Sequence, residues 1–310
     1  MRVFSYQKLS EPQRERLRKT SGVEHVAFLN GVEPDDDPPL EFLNASICFG
    51  NPPAEWLRHS TQLKWIQLIS VGFGEYLPLK ELIHDKGLTI TNLKGFFKVP
   101  VAESILCGIL TLYRQLNHLV HLQSEKKWAG DDLRESLRTL KGNNVVLIGR
   151  GSINQQLIEY LAPFQCKLNL FGSDYNESDL NQALKQADIL ICAAPATPHT
   201  NNLLDQNRLA LLPKEAIFLN FGRSNIVDTP NLIKMLNTAQ ISGAVLDVTD
   251  DEPLHDDDPL WTTRNLVLTQ HTSGGMPGEI YKKLDFFDQN LQRLRRGEVM
   301  INKINLQKGY

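Results

Sequence analysis

Three polar stretches in the second half of the chain carry side chains suited to carbonyl chemistry: "FGRSNIVD", "GAVLDVTDDEP" and "LVLTQHTSGG". Arg223 in the first is permanently charged and forked, a shape that grips a carboxylate or the paired oxygens of a keto acid. His271 in the third is a proton donor and acceptor near neutrality, and a carboxylate such as Glu252, hydrogen-bonded to it, would fix its tautomer. Such a set protonates a carbonyl oxygen while hydride reaches the carbon. Taken singly, each residue has a plainer explanation: a surface-loop arginine, a member of the solvated "DDEP" run, a satisfied core histidine. Each stretch, however, follows an apolar run that predicts a strand, and open α/β sheets bind ligands at the carboxyl ends of their strands. The three would meet there.

A second constellation is "NVVLIGRGSINQQL", where an apolar run enters Gly149-Arg150-Gly151 and Asn154 stands at the place of a third glycine. Gly149 allows a tight turn, and Gly151 lets backbone approach a pyrophosphate seated on the next helix N-terminus. The third glycine serves helix–strand packing, so Asn154 is expected to push the helix slightly away without abolishing phosphate binding. Eighteen residues on, Gly172 occupies the strand end where a carboxylate would bind the adenosine ribose. Gly172 is uncharged, Ser173 can donate a hydrogen bond, and Asp174 is displaced by two residues. No arginine is expected at this strand end. Loss of the carboxylate removes repulsion from a 2′-phosphate, which favours NADP over NAD. The alternative is that Asp174 bends back to the ribose and the cofactor is NAD.

These residues need a scaffold, and the apolar runs supply one. In the N-terminal third, "RVFSY", "HVAFL", "SICFG" and "KWIQLIS" predict strands alternating with amphipathic stretches. A single long helix is predicted from about Pro100 over "VAESILCGILTLYRQLNHLVHLQSEKKW". Six further strands follow at "NVVLIG", "KLNLF", "DILICAA", "AIFLNF", "GAVLDV" and "NLVLTQ". "GEIYKKLDFFDQNLQRLRRG" has helical spacing, while Glu33 to Pro39 reads as a solvated loop. The expected fold class is α/β with two doubly wound parallel-sheet domains. One is a Rossmann-type nucleotide-binding domain over residues 99–275, the other a flavodoxin-like substrate domain over residues 1–98 and 276–310.

Composition narrows the function classes. With 310 residues, 41% of them hydrophobic and 22% charged, the chain has the make-up of a globular protein with a sizeable core. A net charge of −3 offers no footprint for nucleic acid or an anionic membrane. No apolar run has the length of a membrane span. Four scattered cysteines without a C-x-x-C pair favour reduced thiols over disulfides or a metal site, and the absence of a signal-like N-terminus makes the expected location cytoplasmic.

The ordered motifs "PATPHT", "NFGRSNIVD", "GAVLDVTDDEPL", "DDPLW" and "TQHTSG" resemble the D-isomer-specific 2-hydroxyacid dehydrogenase family. "VPVAESILCGILTLYRQL" is similar to its interdomain helix and "LISVGFGEYL" to its substrate loop. The closing "INKINLQKGY" is most like the glyoxylate and hydroxypyruvate reductases of the family. The resemblance implies that Arg223 anchors the substrate, Glu252 orients the histidine, and His271 is the acid/base. It implies that Val71 and Gly72 hold the substrate carboxylate and that Arg150, Ser152 and Ile153 lie along the pyrophosphate. Pro195 and Thr197 would line the adenosine side, with Phe221 and Asp247 also at the cofactor and Asp247 near the nicotinamide carboxamide.

The implied reaction is NAD(P)H-dependent reduction of a small 2-ketoacid to the D-2-hydroxyacid by a homodimer, with the two domains crossed by the segments near Pro100 and Gly274. Several positions depart from the family pattern: Asn154 for the third glycine, Gly172 for the cofactor-selecting acid, Gly74 for an aspartate, and Gln270 for the proline before the histidine. Formate dehydrogenases of this superfamily carry glutamine where Glu252 stands, so Glu252 points to keto-acid reduction. The alternative is an NAD(H)-sensing interaction protein of the corepressor type, built on the same scaffold.

Overall fold

A computed structural model describes residues 1–20, 22–31, 33 and 35–306. Pro34 of the acidic loop and residues 307–310 of the closing motif lie outside the described residues. The chain divides into two compact units, Met1–Phe96 with Met276–Tyr310, and Phe97–Gly275.

The first unit contains β1 (Arg2–Ser5), β2 (His25–Phe28), β3 (Ile47–Phe49), β4 (Trp65–Gln67) and β5 (Thr89–Thr91). All pair in parallel in the order β2-β1-β3-β4-β5, the flavodoxin-like winding. The four predicted strands are present. The fifth, β5, escapes sequence reading because it is three residues long and two of them are threonines. The C-terminal helix Glu279–Arg295 belongs to this unit. Its Leu284, Phe287 and Leu291 recur at helical spacing and pack with Val3, Ile47, Phe49 and Trp65. The Phe287 ring stacks on Trp65 at 5.0 Å and meets Phe49 edge-on at 5.3 Å. Buried Asn290 bonds Gln67 Oε1 at 2.9 Å and receives the Ile301 N–H at 2.7 Å, so the chain beyond the helix is tied to the sheet by polar contacts as well.

The second unit holds β6 (Asn144–Ile148), β7 (Lys167–Phe171), β8 (Ile189–Cys192), β9 (Ile217–Asn220), β10 (Gly243–Leu246) and β11 (Leu266–Leu268). Its six parallel strands run in the order β7-β6-β8-β9-β10-β11. All six are those predicted. Their apolar runs were legible because a parallel strand covered by helices on both faces needs apolar residues at every position. The two faces separate cleanly. Val146, Ile148, Leu190, Cys192, Phe218 and Leu246 enter one cluster. Val145, Leu147, Ile189, Ile191, Ile217, Leu219 and Val245 enter the other, against Val101, Ile105 and Ile109 of the helix Lys98–Tyr113. The strand order reverses between β6 and β8, so the ends of these two strands frame the crevice where such sheets take ligands.

The single long helix predicted from Pro100 is corrected to two. Lys98–Tyr113 ends before Gln115, whose φ of +51° is left-handed, and Leu116–Ser124 starts afresh after it. A left-handed residue breaks the ladder of carbonyl-to-amide bonds even where side-chain periodicity continues. The second helix buries no side chain, so its amphipathic pattern has no sheet beneath it within this chain.

Removing the Phe287 ring tests the packing of the first unit. Phe287→Ala should cost about 3–5 kcal/mol, read as a lowered urea midpoint, whereas Val299→Ala, at a side chain that is 78% exposed, should leave it nearly unchanged.

Candidate active site

Gly149 follows β6 with φ of +104°, and a Cβ on it would stand 2.9 Å from the Ala193 carbonyl oxygen. Both facts require glycine. They press the β6 turn against the loop after β8, at the reversal of strand order. Gly151 caps the helix Ser152–Leu161 in an extended conformation, and a Cβ there would meet nothing within 4 Å. The space in front of this helix N-terminus is therefore open, and the backbone around Ser152 and Ile153 borders it. Aligned amides and free space are what a pyrophosphate needs. On this observation the residues present fit a dinucleotide.

Asn154 at the place of the third glycine also has bonding partners of its own. It is fully buried, and its amide donates to the Ile148 carbonyl at 3.1 Å and the Gly149 carbonyl at 2.7 Å. The side chain bonds the helix to the end of β6 where a glycine would only have made room. One consequence remains uncompensated: its Oδ1 is buried without a hydrogen-bond partner.

At the end of β7 the structure overturns a further expectation. An arginine does stand there, supplied by the glycine loop. The Arg150 side chain lies across Gly172, and its Nη1 pairs with Asp174 Oδ1 at 2.6 Å. That hydrogen bond, more than the bare charge, holds the Asp174 carboxyl below its ordinary range. Ser173 is exposed beside the pair. On the other side of the crevice, Thr200 Oγ1 donates to the Pro195 carbonyl at 2.7 Å and receives the Thr197 N–H at 2.8 Å, which makes the "PATPHT" loop a closed turn.

Further along the carboxyl edge lie the residues singled out for chemistry. Phe221 is buried beneath the β9 loop. Arg223 has an extended backbone there, and its Nη1 donates to the Gly222 carbonyl at 2.8 Å. His271 Nδ1 lies 2.6 Å from Glu252 Oε2, while Glu252 Oε1 accepts the Thr249 N–H at 3.1 Å. The carboxylate is thus positioned by backbone and positions the imidazole in turn. With Nδ1 engaged, Nε2 is the nitrogen left to exchange a proton. A cavity of about 220 Å³ borders this couple, lined by Asp247, Thr249, Trp261 and Gln270 among others.

The support under His271 was not foreseen. Gln270 and His271 are consecutive left-handed residues, with φ of +52° and +54°. Neither is glycine, so the turn is strained and must be held. Asp247, 3% exposed, holds it. Its carboxylate accepts from Thr269 Oγ1 at 2.6 Å, from the Ser273 N–H at 3.2 Å and from the Ser273 hydroxyl. Its carbonyl accepts the His271 N–H at 2.6 Å. The only sequence signal for this was a charged residue inside the otherwise apolar "GAVLDV". In the first unit, the loop after β4 places Val71 and Gly72 with their carbonyls bonded to Asn92 Nδ2 and Ser70 Oγ, each at 2.8 Å. Among the described residues no three His, Cys, Asp or Glu side chains cluster as a metal site would require.

Two substitutions test this construction. Gly149→Ala should destabilise the protein by about 1–3 kcal/mol and weaken dinucleotide binding, measured by thermal unfolding and by calorimetric titration. Gln270→Pro demands a φ near −65° and should lower kcat by about tenfold or more through displacement of His271, whereas Gln270→Gly relieves the turn and should keep or raise the unfolding midpoint.

Comparison with known proteins shows the family. Residues 106–273 match the family described as D-isomer specific 2-hydroxyacid dehydrogenase, NAD binding domain. The chain is 28% identical over 268 residues to a glyoxylate reductase of Thermofilum pendens, covering 81% of this chain and 78% of that protein. It is 30% identical over 221 residues to a mitochondrial formate dehydrogenase of Solanum tuberosum, covering 67% of this chain and 58% of that one. In fold it is similar to an NADPH-dependent glyoxylate/hydroxypyruvate reductase of Sinorhizobium meliloti solved with NADP and sulfate, with a TM-score of 0.83, 18% identity and 99% of each chain covered. With a glycine cradle at the strand-order reversal and an arginine, a glutamate and a histidine along the same edge, this chain belongs to the D-isomer specific 2-hydroxyacid dehydrogenase family of NAD(P)-dependent oxidoreductases.

Proposed function

We propose that the protein reduces a small 2-ketoacid, with glyoxylate and hydroxypyruvate as the first substrates to test, to the D-2-hydroxyacid, and that it prefers NADPH. The observation that carries this is the hydrogen bond of 2.6 Å between His271 Nδ1 and Glu252 Oε2. A carboxylate fixed by the Thr249 N–H orients an imidazole for proton donation, which ketone reduction requires. Formate oxidation transfers no proton to an oxygen, so the couple would have no task in a formate dehydrogenase.

When bound, NAD(P)H supplies the hydride. Gly149, Gly151 and the amides at Ser152 and Ile153 would hold its pyrophosphate, with Pro195 and Thr197 on the adenosine side and Phe221 also at the cofactor. Arg223 takes the carbonyl and carboxylate oxygens of the ketoacid through its fork, leaving the carbonyl carbon electrophilic. His271 passes the proton on Nε2 to the carbonyl oxygen, and Glu252 stabilises the charged ring before transfer. Asp247 keeps the loop in register, and the nicotinamide amide would bind near it.

A homodimer is supported by an apolar groove of about 590 Å³ lined by Leu106, Cys107, Leu110, Leu116, Leu119 and Leu137, with Val120 exposed next to it. A cytoplasmic location is supported by four free cysteines.

A panel of short 2-ketoacids and formate, run with NADPH and NADH, tests the proposal. Arg223→Ala and His271→Ala should each lower kcat/KM for the best ketoacid by about 10²–10⁴-fold. Unchanged reduction in either variant would refute the mechanism. Turnover of none of the acids would leave the nucleotide-sensing alternative.

A further inference from the structure

The end of β7 brings a glycine and an arginine side chain together. A Cβ on residue 172 would lie 2.7 Å from Arg150 Cδ and 3.0 Å from both Cγ and Nε. The first is closer than real contacts allow and the other two are tight, so the Arg150 side chain lies in the space that Gly172 leaves open. A carboxylate at position 172, the group that would grip the ribose diol of NADH, would push the Arg150 side chain out of the place it occupies. The missing acid and the arginine two residues before the helix are therefore one device. Neighbouring parallel strands bring them together, since β6 and β7 pair with Ile148 opposite Phe171.

We propose that Arg150 is the specificity-determining residue for NADPH, binding the 2′-phosphate of its adenosine ribose at the end of β7 with the Ser173 hydroxyl as a second donor. This deepens the proposed function and rests on its nucleotide site. Asp174 holds the guanidinium in the absence of nucleotide. The Arg150 and Asp174 side chains are 51% and 71% exposed, and such a surface pair is weak because solvent screens it. A dianionic phosphate offers the fork two charge-assisted bonds and displaces the carboxylate. Asp174 in turn sets the limit on selectivity: its negative charge opposes the 2′-phosphate and can serve a ribose hydroxyl when NADH binds.

The test uses adenosine 2′,5′-bisphosphate and 5′-AMP, which differ only in the 2′-phosphate, titrated calorimetrically into the full chain. The unmodified protein should bind the bisphosphate about tenfold or more tightly than 5′-AMP. Arg150→Ala should weaken the bisphosphate by about 10–100-fold and 5′-AMP by less than about threefold. Arg150→Lys, which keeps the charge without the fork, should fall between. Gly172→Asp should remove the preference as well, and Asp174→Asn should increase it. Arg150 is exposed, so these losses are expected without any change in the unfolding midpoint. Bisphosphate affinity that survives in Arg150→Ala, or an equal loss of both probes, would overturn the assignment while leaving the nucleotide site intact. Binding of neither probe to the unmodified protein would overturn the nucleotide site and the assignment together.

Discussion

The Asp247 carboxylate at the end of β10 is nearly inaccessible to solvent and receives three hydrogen bonds from Thr269 and Ser273. A buried carboxylate is tolerated only when its lone pairs are engaged, and here the donors come from a loop that would otherwise relax. Gln270 and His271 both occupy the left-handed region, at a cost that local sequence does not offset. The loop is over-determined instead: two side-chain donors, one backbone donor and the His271 amide all converge on Asp247. The imidazole inherits its position from this. Glu252 fixes which way the ring faces, but Asp247 decides where the ring is.

A similar exchange of local cost for position occurs at the nucleotide edge. Gly149 accepts a conformation that other residues avoid and so brings the turn after β6 against Ala193. Asn154 then ties the following helix to the same strand end through two carbonyls, at the cost of one buried, unpaired oxygen. Leaving such an oxygen unpaired costs on the order of 1–3 kcal/mol, comparable to what its two donated bonds return. The asparagine is thus close to energetically neutral. What it contributes is a fixed distance between strand end and helix, which sets where the helix amides stand.

Much of this was legible beforehand. The six strands of the second unit announced themselves because burial on both faces demands unbroken apolar runs such as "DILICAA" and "AIFLNF". Arg223, Glu252 and His271 were legible because each polar stretch directly follows one of those runs, and parallel strands deliver their carboxyl ends to one edge. Other features were hidden for identifiable reasons. β5 is too short and too polar to show alternation. Gln115 interrupts a helix through its own φ, while the apolar spacing carries on across it. Asp247 gave no hint of its partners, because they lie more than twenty residues away and meet it only through the turn after β11.

The sequence by itself determined the fold class, the glycine turn and the identity of the groups that handle charge and protons, because each of these depends on residue type and on spacing within one strand–helix unit. Tertiary structure alone decided where those groups act. Arg150 and Gly172 are twenty-two residues apart and become one feature only because β6 and β7 are neighbours in register. Asn154 reads as a defect in the motif and turns out to be a tie, because the acceptors it reaches are carbonyls at the end of a strand and leave no trace in the sequence. Hydrogen bonds and excluded volume between distant segments depend on how the strands pair, and that pairing is a property of the folded sheet.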